Sequence, residues 1–212
     1  MLLNFTHLVN KYKLHINGVL HIGAHYGEEI ELYKNYLIND IICFEPLPSN
    51  FYILENIVGQ KAESYNIALG NENKKILMNV ETANNGQSSS ILNPKLHIQQ
   101  YPHITFDKKI EVNMLKLDDF MTFHQANGKN KNKSFNFINI DVQGYELEVF
   151  KGGKETLKNI DYIISEVNKE YLYEGCCLIQ EIDEFLSEYN FSRAETSWDG
   201  ITWGDAFYIK NK

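Results

Sequence analysis

The chain has 212 residues, of which 43% are hydrophobic and 23% charged, a composition typical of a globular protein rather than of a disordered or fibrous one. Twenty lysines and arginines stand against 28 aspartates and glutamates, so the net charge is −8, and Arg193 is the single arginine. Because a nucleic-acid surface needs clustered arginine and lysine, this balance argues against a nucleic-acid partner.

The cysteines and the N-terminus favour a cytoplasmic protein. Cys43 lies in an apolar run and Cys176 and Cys177 are adjacent, so the pattern is neither a disulfide framework nor a CxxC zinc site. No apolar run reaches the length of about 18 residues that a membrane span needs. Residues 1–17, a short lead, lack the basic and apolar regions of a signal peptide. We therefore predict reduced thiols, no membrane span and a cytoplasmic location.

The first third of the chain alternates short apolar runs with amphipathic stretches. Strands are predicted at 19–22, 41–44 and 64–69. Helices are predicted at 28–36, with Ile30, Tyr33 and Leu37 on one face, and from a cap at Ser49 to Val58. This β-α-β-α-β order predicts a parallel sheet with helices on both faces.

The rest of the chain extends this α/β pattern. Further strands are predicted at 75–82, 109–117, 135–140 and 162–167, and an antiparallel closing pair at 191–196 and 206–209. Helices are predicted from Tyr145 to Phe150 and over 178–189. We therefore predict a single domain, residues 1–212, with a mostly parallel sheet of about seven strands. Residues 71–134 are predicted to form a mid-chain insertion that ends in a polar loop at 126–134.

Small and acidic residues follow the first two predicted strands, at the sheet edge where open α/β proteins bind ligands. Gly23, Ala24 and Gly27 lie in the stretch HIGAHYG, whose GxxxG spacing disfavours the GxGxxG loop of a dinucleotide dehydrogenase. Glu45 follows the second strand, where a carboxylate can accept hydrogen bonds from both ribose hydroxyls. Together these features predict a nucleoside site.

Oxygen-bearing side chains end the strands predicted at 135–140 and 162–167. We expect Asp141 to face the same crevice as Gly23, because its strand is predicted to lie beside the first one. Glu166 and Asn168 follow the next strand. Such a set suits Mg²⁺, and a hydrogen-bonded polar network is the alternative.

Two polar stretches have the composition of a sugar-binding rim. The loop 84–90 includes Asn85 and Gln87, and the stretch 198–205 holds both tryptophans beside Asp and Gly. Aromatic faces flanked by carboxylates and amides suit the C–H faces and hydroxyl edges of a sugar. A flexible turn and a packed hairpin are the alternatives.

Five motifs in register make the chain similar to the FkbM-type S-adenosylmethionine-dependent methyltransferases. They are HIGAHYG at 21–27, FEPLP at 44–48, NIALG at 66–70, LDDF at 117–120 and IDVQGYELEVFKG at 140–152. The similarity spans residues 18–209. It implies a Rossmann-like methyltransferase fold with an antiparallel last strand, S-adenosylmethionine as cofactor, and O-methylation of a sugar or polyketide hydroxyl.

The resemblance also implies roles for individual residues. The cofactor-binding positions are His21, Gly23, Ala24 and Gly27 for the methionine part, Glu45 and Pro46 for the ribose, Ile67 and Ala68 for the adenine, Ser88 or Ser89 for the carboxylate, and Asp141. His21 stands where the family often has aspartate, so no charged contact to the methionine amine is expected there.

The expected chemistry needs alignment of an acceptor oxygen with the activated methyl group and removal of the hydroxyl proton. The catalytic candidates are Asp141 or His25 as general base, together with Glu166. A metal on Asp141, Glu166 and Asn168, such as Mg²⁺, is an alternative way to activate the hydroxyl. The acceptor-binding candidates are Asn85, Gln87, Asn168, Trp203 and Asp205.

We predict O-methylation of a sugar hydroxyl in a glycan, with the glycan as the partner. One alternative is methylation of a polyketide or other small-molecule hydroxyl. The other is a catalytically silent nucleoside-binding domain of a larger glycan-building protein.

Overall fold

The computed structural model describes residues 1–127 and 133–211, so most of the predicted polar loop at 126–134 lies outside the described residues. The helices are α1 (Phe5–Tyr12), α2 (Ile30–Asn35), α3 (Pro48–Val58), α4 (Leu96–Gln100), α5 (Leu117–Asn127), α6 (Glu146–Lys151), α7 (Lys154–Leu157) and α8 (Ile179–Ser187). The strands are β1 (Gly18–Ile22), β2 (Asp40–Phe44), β3 (Glu63–Tyr65), β4 (Ala68–Gly70), β5 (Lys74–Val80), β6 (Lys108–Lys116), β7 (Phe137–Ile140), β8 (Tyr162–Asn168), β9 (Phe191–Asp199) and β10 (Trp203–Lys210). None of the described helices is long and apolar enough to cross a bilayer.

The main sheet has seven strands in the order β3-β2-β1-β7-β8-β10-β9, and β10 runs antiparallel to both of its neighbours. β1 pairs in parallel with β2 on one side and with β7 on the other, so the strand order reverses at β1. The predicted Rossmann-like sheet with an antiparallel last strand is confirmed. Ligands bind such sheets at the carboxyl ends of the strands beside this reversal.

The strand predicted at 64–69 is in fact two strands. β3 joins the main sheet, whereas β4 joins β5 and β6 in a separate sheet of order β4-β6-β5. Asn66, between the two, donates from Nδ2 to the carbonyl oxygens of Glu45 at 2.8 Å and Pro46 at 3.0 Å. These bonds hold the chain in the bend that separates the two strands.

Two details of the predicted helices are wrong. Ser49 does not cap α3, because Leu47 occupies the cap position and Pro48 the first turn, where its fixed φ suits the helix and its missing N–H costs nothing. Leu37 is 82% exposed rather than part of an apolar face. The reason is that α2 ends at Asn35 and the chain then turns with a φ of 60° at Leu37.

Four helices, α1, α4, α5 and α7, are absent from the sequence-based prediction, and α4 and α7 have only five and four residues. α1 lies within the lead at residues 1–17, where the Asn4 side chain accepts a hydrogen bond from the His7 amide and Phe5 and Leu8 are buried. α5 follows β6 directly and buries Leu117 and Phe120. α1 and α5 both have helical spacing of apolar residues, but each covers only two to three turns, so the pattern is weak.

Asp118, in the LDDF stretch, caps α7 from a distance. Its Oδ1 accepts from the Thr156 amide at 2.8 Å and the Thr156 hydroxyl at 2.7 Å, and its Oδ2 accepts from the Glu155 amide at 2.9 Å. Asp118→Ala is expected to lower the free energy of unfolding by about 1–2 kcal/mol, since the helix amides lose their acceptor. Asp119→Ala is the control, because its exposed carboxylate contacts only the side chain of Asn73 among the described residues. Urea denaturation of both variants checks this, and equal losses would contradict the capping role.

Candidate active site

A cavity of about 650 Å³ lies at the carboxyl ends of β1, β2, β7 and β8. This volume is within the range of small-molecule sites in proteins. Most residues singled out from the sequence line the cavity: His21, Gly23, Ala24, His25, Glu45, Pro46, Ile67, Ala68, Gln87, Ser88, Ser89, Asp141, Glu166, Trp203 and Asp205. Gly27, Asn85 and Asn168 lie outside its lining.

The turn after β1 brings three strands of the sheet together. The amides of Gly23 and Ala24 both donate to the Phe44 carbonyl at the end of β2, each at 2.9 Å. Gly23 has a φ of 79°, and a Cβ there would lie 1.8 Å from the backbone oxygen of Asp141. Only glycine fits this position. Gly27 also has a positive φ, but a Cβ there would meet Leu54 of α3 at 2.8 Å, so this glycine serves helix packing.

Glu45 is 5% exposed and holds the surrounding backbone with both carboxylate oxygens. Oε2 accepts from the His25 amide and Oε1 from the Leu47 amide, each at 2.9 Å. Burial raises the pKa of Glu45 to about 7, although the two amide hydrogen bonds act in the opposite direction. Each oxygen retains a lone pair that can accept a ligand hydroxyl.

Gln143 joins the two acids that end β7 and β8. Its Nε2 donates to Asp141 Oδ1 at 2.7 Å and to Glu166 Oε2 at 2.6 Å, and its Oε1 accepts from the Tyr173 hydroxyl at 2.8 Å. The two carboxyl oxygens beside Nε2 set the orientation of the amide, because each accepts one of its N–H bonds, and the Tyr173 hydroxyl also lies 2.9 Å from the Ser88 carbonyl oxygen. Gln143 has a φ of 56°, which aims the side chain back at the strand ends.

The two acids differ in environment. Burial raises the pKa of Glu166 well above its usual range, and the adjacent Asp141 carboxyl, with which it shares a hydrogen bond, adds to the effect. The folded protein therefore favours the protonated form of Glu166. Asp141 is exposed at the cavity, so it is the member of the pair that can offer a carboxylate to a ligand.

Three carboxyl groups lie close enough to be considered as metal ligands. Oxygens of Asp141, Glu146 and Glu166 lie within 4.8 Å of one another. Glu146 Oε1, however, accepts from the amides of Val142 at 3.0 Å and Gly144 at 3.1 Å. Gln143 Nε2 lies between the facing oxygens of Asp141 and Glu166, at the position that a shared cation would take, so this set fits a hydrogen-bonded network and not Mg²⁺.

Asn168, the third metal candidate from the sequence, lies in β8 two residues after Glu166 and outside the cavity lining. It is fully buried, and neither atom of its side-chain amide has a partner among the described residues.

The two histidines near β1 are both constrained. His25 Nδ1 lies 2.7 Å from Glu28 Oε1, and Nε2 lies 3.1 Å from the Asn85 carbonyl oxygen. Burial lowers the pKa of His25, but the hydrogen bonds to Glu28 and to the Asn85 carbonyl and the charges of Glu28 and Glu45 together outweigh burial, so the net pKa is raised. His21 is buried, which lowers its pKa, and its Nε2 lies 3.2 Å from Asn139 Nδ2. Neither imidazole has both a free nitrogen and an open approach.

Sequence reasoning missed several lining residues. Gln143 lies inside a quoted motif, but its role depends on the backbone turn that aims it. Further residues missed are Glu28, Glu29, His97, Tyr101 and His103. The last three belong to a stretch that has no clear helical or strand period, so composition was the sole signal there.

Comparison of the sequence with known proteins points to methyltransferases. The sequence model of the methyltransferase FkbM domain matches residues 21–193. The chain is 27% identical over 179 residues to the 2-O-methyltransferase NoeI of Sinorhizobium fredii (strain NBRC 101917 / NGR234), covering 81% of this chain and 71% of NoeI.

Solved structures show the same fold at low identity. Sp1610 of Streptococcus pneumoniae has a TM-score of 0.54 and 14% identity, covering 100% of this chain and 72% of Sp1610. The magnesium protoporphyrin IX methyltransferase ChlM of Synechocystis PCC 6803, solved with bound SAM, has a TM-score of 0.52 and 10% identity, covering 97% of this chain and 76% of ChlM. Because the family match covers most of the chain, including the carboxyl ends of β1, β2, β7 and β8, the chain belongs to the FkbM methyltransferase family.

Proposed function

We propose that this protein is an S-adenosylmethionine-dependent O-methyltransferase that acts on a sugar hydroxyl of a glycan. The observation that carries the proposal is the meeting of Gly23, Glu45 and Asp141 at one cavity in an FkbM-family fold. The cavity volume of about 650 Å³ leaves room for a nucleoside cofactor with an acceptor beside it. The name of NoeI, a 2-O-methyltransferase, supports oxygen as the methylated atom.

The cofactor would lie across the carboxyl ends of β1 and β2. Glu45 would accept the ribose hydroxyls with its remaining lone pairs, since its other lone pairs hold the backbone. The turn at Gly23 and Ala24 leaves the methionine part close to the main chain. Ile67 and Ala68 supply apolar surface for the adenine ring.

When bound, S-adenosylmethionine supplies an activated methyl group for in-line attack by the acceptor oxygen. The protein's own task is then to position that oxygen and accept its proton. Asp141 is the best placed group, because it is exposed at the cavity and oriented by Gln143. His25 is less suited, since both of its ring nitrogens are already engaged. Glu166 acts as a hydrogen-bond donor that supports Asp141.

Titration calorimetry with S-adenosylhomocysteine tests the cofactor half of the proposal. Micromolar binding is expected, and Glu45→Ala is expected to weaken it by about 10- to 100-fold, because hydrogen bonds to a charged group contribute about 1.5–3 kcal/mol. The matched control is Glu55→Ala, an exposed glutamate of α3.

The same titration is repeated with Mg²⁺ and with EDTA. Equal affinity is expected, because Gln143 Nε2 lies between the facing oxygens of Asp141 and Glu166, where a shared cation would bind. Absence of binding to the unaltered protein under all conditions would overturn the methyltransferase proposal.

A further inference from the structure

The cavity has a second wall that follows none of the parallel strands. Its residues, here named the acceptor wall, are His97, Tyr101, His103, Ile104, Leu172 and Trp203. They come from α4, the segment after it, the loop after β8, and the start of β10. None of the proposed cofactor positions is among these six residues, so this wall is free to contact the second substrate.

Hydrogen bonds brace the acceptor wall. Trp203 Nε1 donates to the Tyr101 hydroxyl oxygen at 3.0 Å, and the His97 amide donates to the Leu172 carbonyl at 3.1 Å. Thr202, beside Trp203, donates from its hydroxyl to Gln100 Oε1 at 2.8 Å. Because the Tyr101 oxygen serves here as acceptor, its own proton can be donated to a ligand. The wall therefore offers two aromatic rings and a hydroxyl donor in fixed positions.

Acidic side chains predominate among the ionisable residues that line the cavity. Seven carboxyl side chains line it, namely Glu28, Glu29, Glu45, Asp141, Glu166, Asp199 and Asp205. Within residues 1–127 and 133–211, neither lysine nor arginine is part of that lining. Even with Glu166 protonated, the remaining acids leave the cavity negative.

The other groups that could carry positive charge do not offset these acids. The Met1 amino group lies 3.6 Å from Glu29 Oε1, and His25 is paired with Glu28. His97 is 5% exposed, and burial lowers its pKa, so it is neutral at physiological pH. An anionic ligand at the acceptor wall would lose its hydration and meet carboxylates, and the described lining holds neither a lysine nor an arginine to pair with it.

We propose that the acceptor wall binds a sugar residue that carries no negative charge, with its C–H face against Tyr101 and Trp203. This inference rests on the proposed function and adds the class of acceptor to it. The cavity rejects uronic acids, sugar phosphates and nucleotide-linked sugars by charge. The sugar must then have left its nucleotide before methylation, so the reaction that supplies the substrate is a glycosyl transfer that releases the nucleotide.

The test uses the full chain saturated with S-adenosylhomocysteine, whose binding is measured first. Saturation-transfer NMR then compares the methyl glycosides of glucose, galactose and mannose with those of the matching uronic acids, and with glucose 1-phosphate. We expect saturation transfer to neutral glycosides and a signal about tenfold weaker or more for the anions. Equal or stronger signals from the anions, or none from any neutral glycoside, would overturn the inference. Failure of S-adenosylhomocysteine to bind would instead remove the proposed function, and this inference with it.

Variants separate the wall from the cofactor site. Tyr101→Ala and Trp203→Ala are expected to remove most of the saturation transfer to neutral glycosides while S-adenosylhomocysteine affinity is unchanged. Tyr52→Ala, which removes a ring that is 69% exposed on α3, is the matched control and should change neither. Loss of sugar signal in all three variants, or in none, would count against the wall.

A variant that adds a positive charge tests the inference through a gain of binding, which misfolding could not produce. His103 is an exposed member of the acceptor wall, so His103→Lys places a cation there with little disturbance of packing. The expected result is a gain: uronic-acid glycosides show saturation transfer that the unaltered protein does not give. Continued rejection of the uronic acids by a folded His103→Lys protein would show that charge is not what excludes them.

Discussion

Gly23→Ala is expected to abolish S-adenosylhomocysteine binding and to lower the free energy of unfolding by about 3 kcal/mol or more. The added Cβ would lie 1.8 Å from the Asp141 carbonyl oxygen, and the φ of 79° is unfavourable for alanine. The two atoms nearest to the added Cβ, the carbonyl oxygen and carbon of Asp141, belong to the backbone, so the clash cannot be relieved by a side chain that moves aside. β1 and β7 would have to separate where Asp141 donates to the Ile22 carbonyl at 3.0 Å, which is the edge of the cavity.

Gly175→Ala is the matched control for this variant. Gly175 has a similar φ of 73°, but a Cβ there would have nothing within 4 Å. Gly175→Ala should lower the free energy of unfolding by about 1 kcal/mol, the cost of a positive φ at alanine, and leave ligand affinity unchanged. Chemical denaturation and calorimetry of both proteins check the pair. If the two variants behaved alike, close approach of β1 and β7 would not be the reason that position 23 requires glycine.

The part of the site that could be predicted from the sequence is the part with a local signal. An apolar run that ends in a polar or small residue marks a buried parallel strand and its carboxyl end within a few positions. From the sequence alone, that pattern predicts that Gly23, Glu45 and Asp141 lie at one edge of the sheet. The topology confirms that β1, β2 and β7 are neighbours.

The rest depends on contacts between residues far apart in the chain. The bend between β3 and β4 is held by Asn66 bonding the main chain after β2, and nothing near residue 66 indicates that partner. The acceptor wall is similar, because Tyr101 meets Trp203 across about half of the chain. α4 has five residues, too few for a helical period to be read. In the sequence, Gln143 is one polar residue of a predicted loop. Its contacts with Asp141 and Glu166 depend on the backbone turn at that position.

The buried acids make stability depend on pH in a known direction. Burial raises the pKa of Glu45 and of Glu146 to about 7 and also raises that of Glu166, whereas each would titrate near its ordinary value in the unfolded chain. Above about pH 4.5 the folded protein holds protons that the unfolded chain has released, so the free energy of unfolding falls as the pH rises. Glu166→Gln imitates the protonated acid, so it removes the contribution of Glu166 to the decrease in the free energy of unfolding with rising pH.

Asp141→Asn and Glu166→Gln should therefore have different effects, although the two side chains share Gln143. Asp141→Asn removes the proposed base and is expected to lower methyl transfer by about 10²- to 10⁴-fold, with S-adenosylhomocysteine affinity little changed. Glu166→Gln retains an acceptor for Gln143 and a donor for Asp141, so transfer should stay within about tenfold of the unaltered protein.

Methyl transfer from labelled S-adenosylmethionine to the neutral glycosides that bind gives the first readout for both variants, and thermal unfolding at pH 6 and pH 8 the second. Glu166→Gln should unfold at a less pH-dependent temperature than the unaltered protein, because one proton linked to folding is gone. Full activity in Asp141→Asn would remove Asp141 as the base. A Glu166→Gln protein as inactive as Asp141→Asn would mean that the ionised form of Glu166 takes part in the reaction, and that the buried acid serves as more than a donor to Asp141.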